Sequence, residues 1–190
     1  MIEACVVGAS TGGVAALRTL LRGLGKGFRP PVIIVQHSAA EGFSLLVDLL
    51  GEACALPVRE AQARESILPG NVYLAPPRYH LLVEQNRHFA LSVDERVCHV
   101  RPAADVLFES AAEVWRAGLV AVVLTGANDD GARGAAAVRS LGGTVIVQNP
   151  QEAEAPEMPA AALRLAGADH VLPLDQIAPL LNRLSGRPAA

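Results

Sequence analysis

The chain has 190 residues, 51% of them apolar, with 16 basic against 19 acidic side chains, a net charge of −3 and a pI near 5.9. That length favours one domain, large enough to hold a core without a disulfide or metal staple, and the apolar fraction excludes a disordered chain. The charge balance speaks against a nucleic-acid binder, which carries a basic patch or stripe. No apolar run approaches the roughly 20 residues of a membrane helix, and Met1 leads at once into a strand-like run rather than a signal peptide. A soluble cytoplasmic protein without membrane insertion is therefore expected. Cys5, Cys54 and Cys98 are an odd count with no CxxC, and no His or Cys pair has metal-ligand spacing, so neither a disulfide framework nor a metal site or cofactor is expected.

Ile2–Val7 reads as a short buried strand, broken by Gly8-Ala9-Ser10-Thr11-Gly12-Gly13. Val14, Leu17, Leu20 and Leu21 then recur at helical spacing. Val32-Ile33-Ile34-Val35 is a β-branched run suited to a strand buried on both faces; it ends in Gln36-His37, and a helix follows from about Phe43 to Leu50. The middle changes character. Pro57–Ala61, Ser66–Ala75 and His80–Asp94 read as short strands punctuated by Pro69-Gly70-Asn71 and Gln85-Asn86-Arg87, a pattern of hairpins. Asp105–Arg116 is helical, and Leu119–Leu124 is a second buried run entering Thr125-Gly126-Ala127-Asn128-Asp129-Asp130-Gly131. Helix 132–141, strand Thr144–Gln148, helix Pro159–Leu165, strand His170–Leu172 and a last helix to about Leu184 complete the domain, with 185–190 as a loose tail. Strand–helix units in this succession predict an α/β fold, a doubly wound, mostly parallel sheet with helices on both faces and a hairpin insertion.

In such folds ligands sit beyond the carboxyl ends of the strands, which singles out the loops after Val7, Val35 and Leu124. The first has the G-x-S-x-G pattern of a nucleophile elbow at Ser10. It equally fits a helix cap by Ser10 or Thr11 and a phosphate-binding glycine turn. The second loop weakens the nucleotide reading, because no acidic residue ends this strand and the glycines do not match G-x-G-x-x-G. His37 stands there instead, the kind of base that a serine nucleophile needs. The third supplies Asp129 and Asp130, either able to orient an imidazole or to cap the following helix. Three strand ends thus offer a serine, a histidine and an aspartate.

These segments, Val7–Gly13, Val35-Gln36-His37, Leu124-Thr125-Gly126 and Asp130-Gly131-Ala132-Arg133-Gly134, resemble the catalytic domain of the chemotaxis receptor methylesterases (CheB type). Leu68–Pro76 is similar to that family's hairpin and Arg101–Phe108 to its pre-helix segment. Gly142-Gly143-Thr144 and Met158-Pro159 match as well. The resemblance spans about Ile2 to Leu184, and it implies a methylesterase-type catalytic domain over residues 1–184. Its activity would be hydrolysis of glutamate γ-methyl esters on the cytoplasmic helices of methyl-accepting chemotaxis receptors, with deamidation of certain receptor glutamines. By the same resemblance Ser10 is the nucleophile, His37 the general base and Asp130 its orienting acid, since the family's aspartate immediately precedes the glycine. Thr11 and Ala127 fall beside the oxyanion site.

The sequence departs from the family pattern in places. A phosphorylatable receiver and linker usually precede this domain, whereas Met1 stands almost at the first strand. Thr125-Gly126 is followed by Ala127-Asn128 where Met-Gly is usual, and His37 by Ser38-Ala39 where Met-Pro is usual. The departures at Ala127 and Asn128 motivate an alternative, a receptor-binding module of the same fold whose chemistry has decayed. Among other conspicuous residues, His80 admits a groove-lining and a structural reading, Trp115 reads as core, His88 and His99 as solvated, and Arg101 either as a contact to an acidic receptor helix or, by default, as a surface ion-pairing residue.

Overall fold

The computed structural model describes residues 1–38 and 40–186. In chain order its elements are β1 (Ala4–Ala9), α1 (Gly13–Gly23), β2 (Val32–Gln36), α2 (Phe43–Ala53), β3 (Val58–Glu60), β4 (Val72–Leu74), β5 (His80–Val83), β6 (Phe89–Ser92), α3 (Ala104–Trp115), β7 (Leu119–Val123), α4 (Ala132–Ser140), β8 (Thr144–Gln148), α5 (Glu157–Leu165), β9 (His170–Leu172) and α6 (Leu174–Leu184). Seven strands form one sheet in the order β3-β4-β2-β1-β7-β8-β9, every pairing parallel.

A parallel strand covered by helices on both faces must be apolar on both faces, and the β-branched runs meet that demand. Val6, Ile33, Val35, Ala121, Val123, Val145 and Val147 face one core layer, with Leu107, Phe108 and Ala111 of α3, Ala135 of α4 and Met158 of α5. Their neighbours Val7, Val32, Ile34, Val120, Val122 and Ile146 face the other, with Leu17 and Leu20 of α1, Leu46 of α2 and Ile177 and Leu181 of α6. The sheet is therefore doubly wound. The chain leaves β1 toward α1 on one face and leaves β7 toward α4 on the other, so a crevice opens between the carboxyl ends of these adjacent strands.

The hairpin reading of the middle segment holds only for β5 and β6, which pair antiparallel from His80↔Ser92 to Val83↔Phe89. This hairpin lies against α3, where Val83 N donates to Ser110 Oγ at 3.1 Å. The Pro57–Ala61 and Ser66–Ala75 segments instead supply β3 and β4, parallel edge-side strands in the register Val58↔Val72 and Val32↔Val72. Three-residue strands are too short to display either an alternating or a continuous apolar pattern, and Pro69-Gly70 turns the chain into β4 rather than closing a hairpin.

Trp115 is core, as expected. His80 is buried, with Nε2 against the Glu95 carbonyl at 3.0 Å and Nδ1 accepting from Ala103 N at 3.2 Å, so its role is structural. His88 is held by the Ser66 hydroxyl at 2.8 Å rather than by solvent alone. Among the described residues Arg101 does not form the expected ion pair; its Nη1 donates to the carbonyls of Val93 and Asp94. Of the tail, Ser185 N closes α6 by donating to Leu181 O at 3.0 Å. Residues 187–190, like Ala39, lie outside the described residues. No helix among the described residues is long and apolar enough to cross a membrane.

Candidate active site

The β1–β2 register, which pairs Ala9 with Gln36, brings Ser10 and His37 to the ends of adjacent strands. His37 N donates to Ala9 O at 3.0 Å, extending the ladder by one bond. The buried Gln36 amide fixes both residues, donating from Nε2 to Ser10 O at 3.0 Å and to His37 O at 2.9 Å. On the other side of β1, Ser10 N donates to Thr125 O at 3.0 Å. Thr125 Oγ1 donates to Thr11 O at 2.9 Å and accepts from Ala155 N at 2.9 Å, while Gln148 Oε1 accepts from Thr125 N. The loops after β1, β2 and β7 are thereby sewn together by side-chain amides and a hydroxyl.

Two glycines make the approach possible. Gly12 adopts φ 74 at the entry to α1, a conformation that costs other residues energy. Gly126 lies so close to Met158 Sδ and Ser10 Cβ that a methyl group there would overlap the first and come within 2.9 Å of the second. Among the described residues the backbone N–H groups of Thr11, Gly12 and Ala127 donate to no other group.

The carboxylate that meets His37 is that of Asp130, not Asp129. Asp130 is fully buried, and its Oδ2 accepts from His37 Nε2 at 2.8 Å and from Ala104 N at 2.6 Å; Oδ1 accepts from Asp105 N at 2.9 Å. The carboxylate thus also caps α3, whose N-cap residue Ala103 offers no side-chain acceptor, and a negative charge is favoured at this positive helix end. With Nε2 engaged, Nδ1 is the imidazole nitrogen left for a reacting group. Among the described residues its contact is Asn128 Nδ2 at 3.5 Å, and no hydrogen bond joins it to the Ser10 hydroxyl. Asp129 is exposed, and its side chain meets Cys98.

Behind Asp130 lies Asp105, also buried, whose carboxylate accepts from Gly134 N at 2.7 Å and from the Arg133 guanidinium at 3.1 Å. Burial pushes the Asp105 carboxyl above the ordinary range, against the lowering effect of Gly134 N–H, with Asp130 adding repulsion. Burial likewise raises the Cys98 thiol to about 12, with further upward pressure from Asp129 and Asp130. Cys98, Asp105 and Asp130 bring potential ligand atoms within 4.8 Å of one another, but both carboxylates are already committed to hydrogen bonds.

Ser10 and His37 follow the ends of paired strands and His37 meets Asp130, while Thr11 follows Ser10 and Ala127 follows Gly126, which lies against Ser10. Sequence reasoning gave no role to Gln36, Gln148 or Asp105. The first two carried a signal, an amide closing an otherwise apolar run in Ile34-Val35-Gln36 and again in Ile146-Val147-Gln148. Asp105 carried none, since an acid in the first turn of a helix is ordinary.

The model of the CheB methylesterase family matches residues 5–181. The chain belongs to the CheB methylesterase family. Among its relatives is a putative protein-glutamate methylesterase/protein-glutamine glutaminase of Leptospira interrogans, 44% identical over 182 residues, spanning 96% of this chain and 94% of the relative. A protein-glutamate methylesterase/protein-glutamine glutaminase of Caulobacter vibrioides is 41% identical over 184 residues, and there the match spans 95% of this chain but 53% of the relative. The structure superposes on that of the Thermotoga maritima CheB methylesterase catalytic domain with a TM-score of 0.92 and 34% identity, covering 97% of this chain and 99% of the other.

Proposed function

We propose that this CheB-family chain removes methyl esters from glutamate side chains of chemotaxis receptors, with Ser10 as nucleophile, His37 as general base and Asp130 as the acid that orients and charges it. The observation that carries this reading is the part-buried 2.8 Å bond between His37 Nε2 and Asp130 Oδ2 at the rim where Ser10 follows β1. Asp130 accepts at Nε2, so Nε2 bears the proton and Nδ1 holds the lone pair. Nδ1 then takes the hydroxyl proton as Ser10 Oγ attacks the ester carbonyl, and the free amides of Thr11 and Ala127 receive the developing oxyanion. The proton passes to the departing methoxide, releasing methanol. Water, deprotonated by the same nitrogen, then frees the glutamate. A receptor glutamine would follow the same path with ammonia as the leaving group.

A second reading, a binding module without chemistry, draws on Asn128, whose amide faces Nδ1 at 3.5 Å where a serine hydroxyl would need to stand. The test is methanol release from methylated receptor membranes by the parent, Ser10→Ala, His37→Ala and the double variant. Release by the parent alone is expected, with the double variant no worse than either single one because the two groups act as a unit. Receptor binding without methanol release by the parent would establish the second reading instead.

A further inference from the structure

Beside the Ser10–His37–Asp130 rim lies a pocket of about 210 Å³ that shares His37 with it and is otherwise walled by Arg96, His99 and Arg101 among others. The chain as a whole is acidic, with a net charge of −3, so this gathering of cationic groups is local. Among the described residues neither Arg96 nor Arg101 forms an ion pair with a carboxylate. Of the nearby acids, Asp94, Glu95 and Asp129 do not line the pocket, and Asp130 and Asp105 are engaged with His37, with backbone amides and with Arg133. Arg101 is anchored by its Nη1 bonds to the carbonyls of Val93 and Asp94, while Arg96 and His99 are exposed to an incoming group.

The turn that presents them is strained. Val97 N donates to Val100 O at 3.2 Å and Val100 N to Val97 O at 2.9 Å, closing a two-residue turn on Cys98 and His99. Both central residues lie in the left-handed region, at φ 50 and φ 65. Such a turn is best served by Asn-Gly. Side chains held there at a conformational cost are a feature of binding and catalytic sites, and here the cost sets His99 on the pocket wall.

We infer that the Arg96–His99–Arg101 pocket is a subsite for an acidic side chain of the substrate segment, next to the glutamyl ester delivered to Ser10. This rests on the esterase reading for the position of the ester, but the pocket's charge preference is a binding property that does not need turnover. A carboxylate entering it meets two guanidinium groups within one side chain's reach of His37. An amide of the same shape forfeits the charge-assisted hydrogen bonds.

The test uses two helical peptides, each with one glutamate γ-methyl ester, flanked by Glu in one and by Gln in the other. Binding to the intact chain is read by fluorescence anisotropy, and methanol release is read in the same samples. The parent is expected to bind the Glu-flanked peptide about five- to tenfold more tightly, the scale of one half-exposed carboxylate meeting two cations. That ratio should shrink with added salt. Arg96→Gln, at an exposed position, is expected to bring the ratio near one. His99→Asn, which accepts the left-handed backbone, is expected to lower it while the fold is kept. Equal binding of the two peptides by the parent, or no binding of either at millimolar peptide, overturns the subsite whether or not methanol appears. A preference without methanol release upholds the subsite and counts against the esterase reading.

Discussion

Replacing Asp130 by asparagine separates its two duties. The carboxylate accepts three hydrogen bonds, two at Oδ2 and one at Oδ1. An asparagine oxygen at the Oδ2 position keeps the bonds from His37 Nε2 and Ala104 N, and with them the imidazole tautomer. Its NH2 group then faces the Asp105 N–H, leaving one buried donor unmet, which costs about 1–3 kcal/mol. The reverse orientation keeps the Asp105 N bond and donates to His37 Nε2, which moves the imidazole proton to Nδ1 and costs rate as well. Under the proposed mechanism, what the substitution removes is the charge opposite the imidazolium formed when Ser10 gives up its proton. Two unit charges about 4 Å apart at an effective dielectric of about 20 attract by about 4 kcal/mol, equivalent to roughly a thousandfold in rate. Asp130→Asn should therefore lower kcat/KM on a glutamate methyl ester about a thousandfold while lowering Tm by only about 5 °C. Asp130→Ala, which strands two α3 amides as well, should cost more stability for a similar loss of rate. Steady-state methanol release and thermal melts on the same preparations supply both numbers. An asparagine variant within tenfold of the parent would refute the electrostatic role of Asp130.

Other consequences concern packing, titration and thiols. Gly126→Ala should cost about 1–3 kcal/mol and more than tenfold in activity, because the new methyl meets Met158 Sδ and Ser10 Cβ; unchanged hydrolysis would show that the β7 loop has room to move. The Asp105 carboxyl titrates higher in the folded chain than in the unfolded one, so the native state binds the extra proton and stability drawn from this group declines as pH rises through the raised value. Urea unfolding of Asp105→Asn across a pH series rising from the ordinary carboxylate range should show the variant gaining on the parent with rising pH, and a pH-independent difference would contradict this. Burial holds the Cys5 and Cys98 thiols near 12, a thiolate fraction of about 10⁻⁴ at pH 8. Alkylation followed by mass spectrometry should find both slow in the folded protein and at least about a hundredfold faster in urea; rapid native labelling of Cys98 would break the argument.

The chain's local pattern determines a great deal here. Continuous β-branched runs such as Val32–Val35 can be satisfied only between two helical layers, so the parallel sheet and its doubly wound class follow from periodicity. The rule that ligands lie beyond strand ends then selects the loops holding Ser10, His37 and Asp130. Tertiary structure decided what depends on partners distant in the chain. His37 and Asp130 are 93 residues apart, and only their packing assigns Nε2 to the acid and Nδ1 to the substrate side. Asp130 gains its second task from the start of α3, a helix that brings no cap of its own. β3 and β4 are placed by their neighbours in the sheet, since three residues are too few to carry a period. The Arg96–Arg101 pocket is hidden from the sequence for a related reason. In the sequence Arg101 offered either a contact to an acidic helix or an ion pair, but its grouping with Arg96 and His99 appears only when a strained two-residue turn folds them against His37, because pattern reports which residues are buried, whereas a site is made by which of them meet.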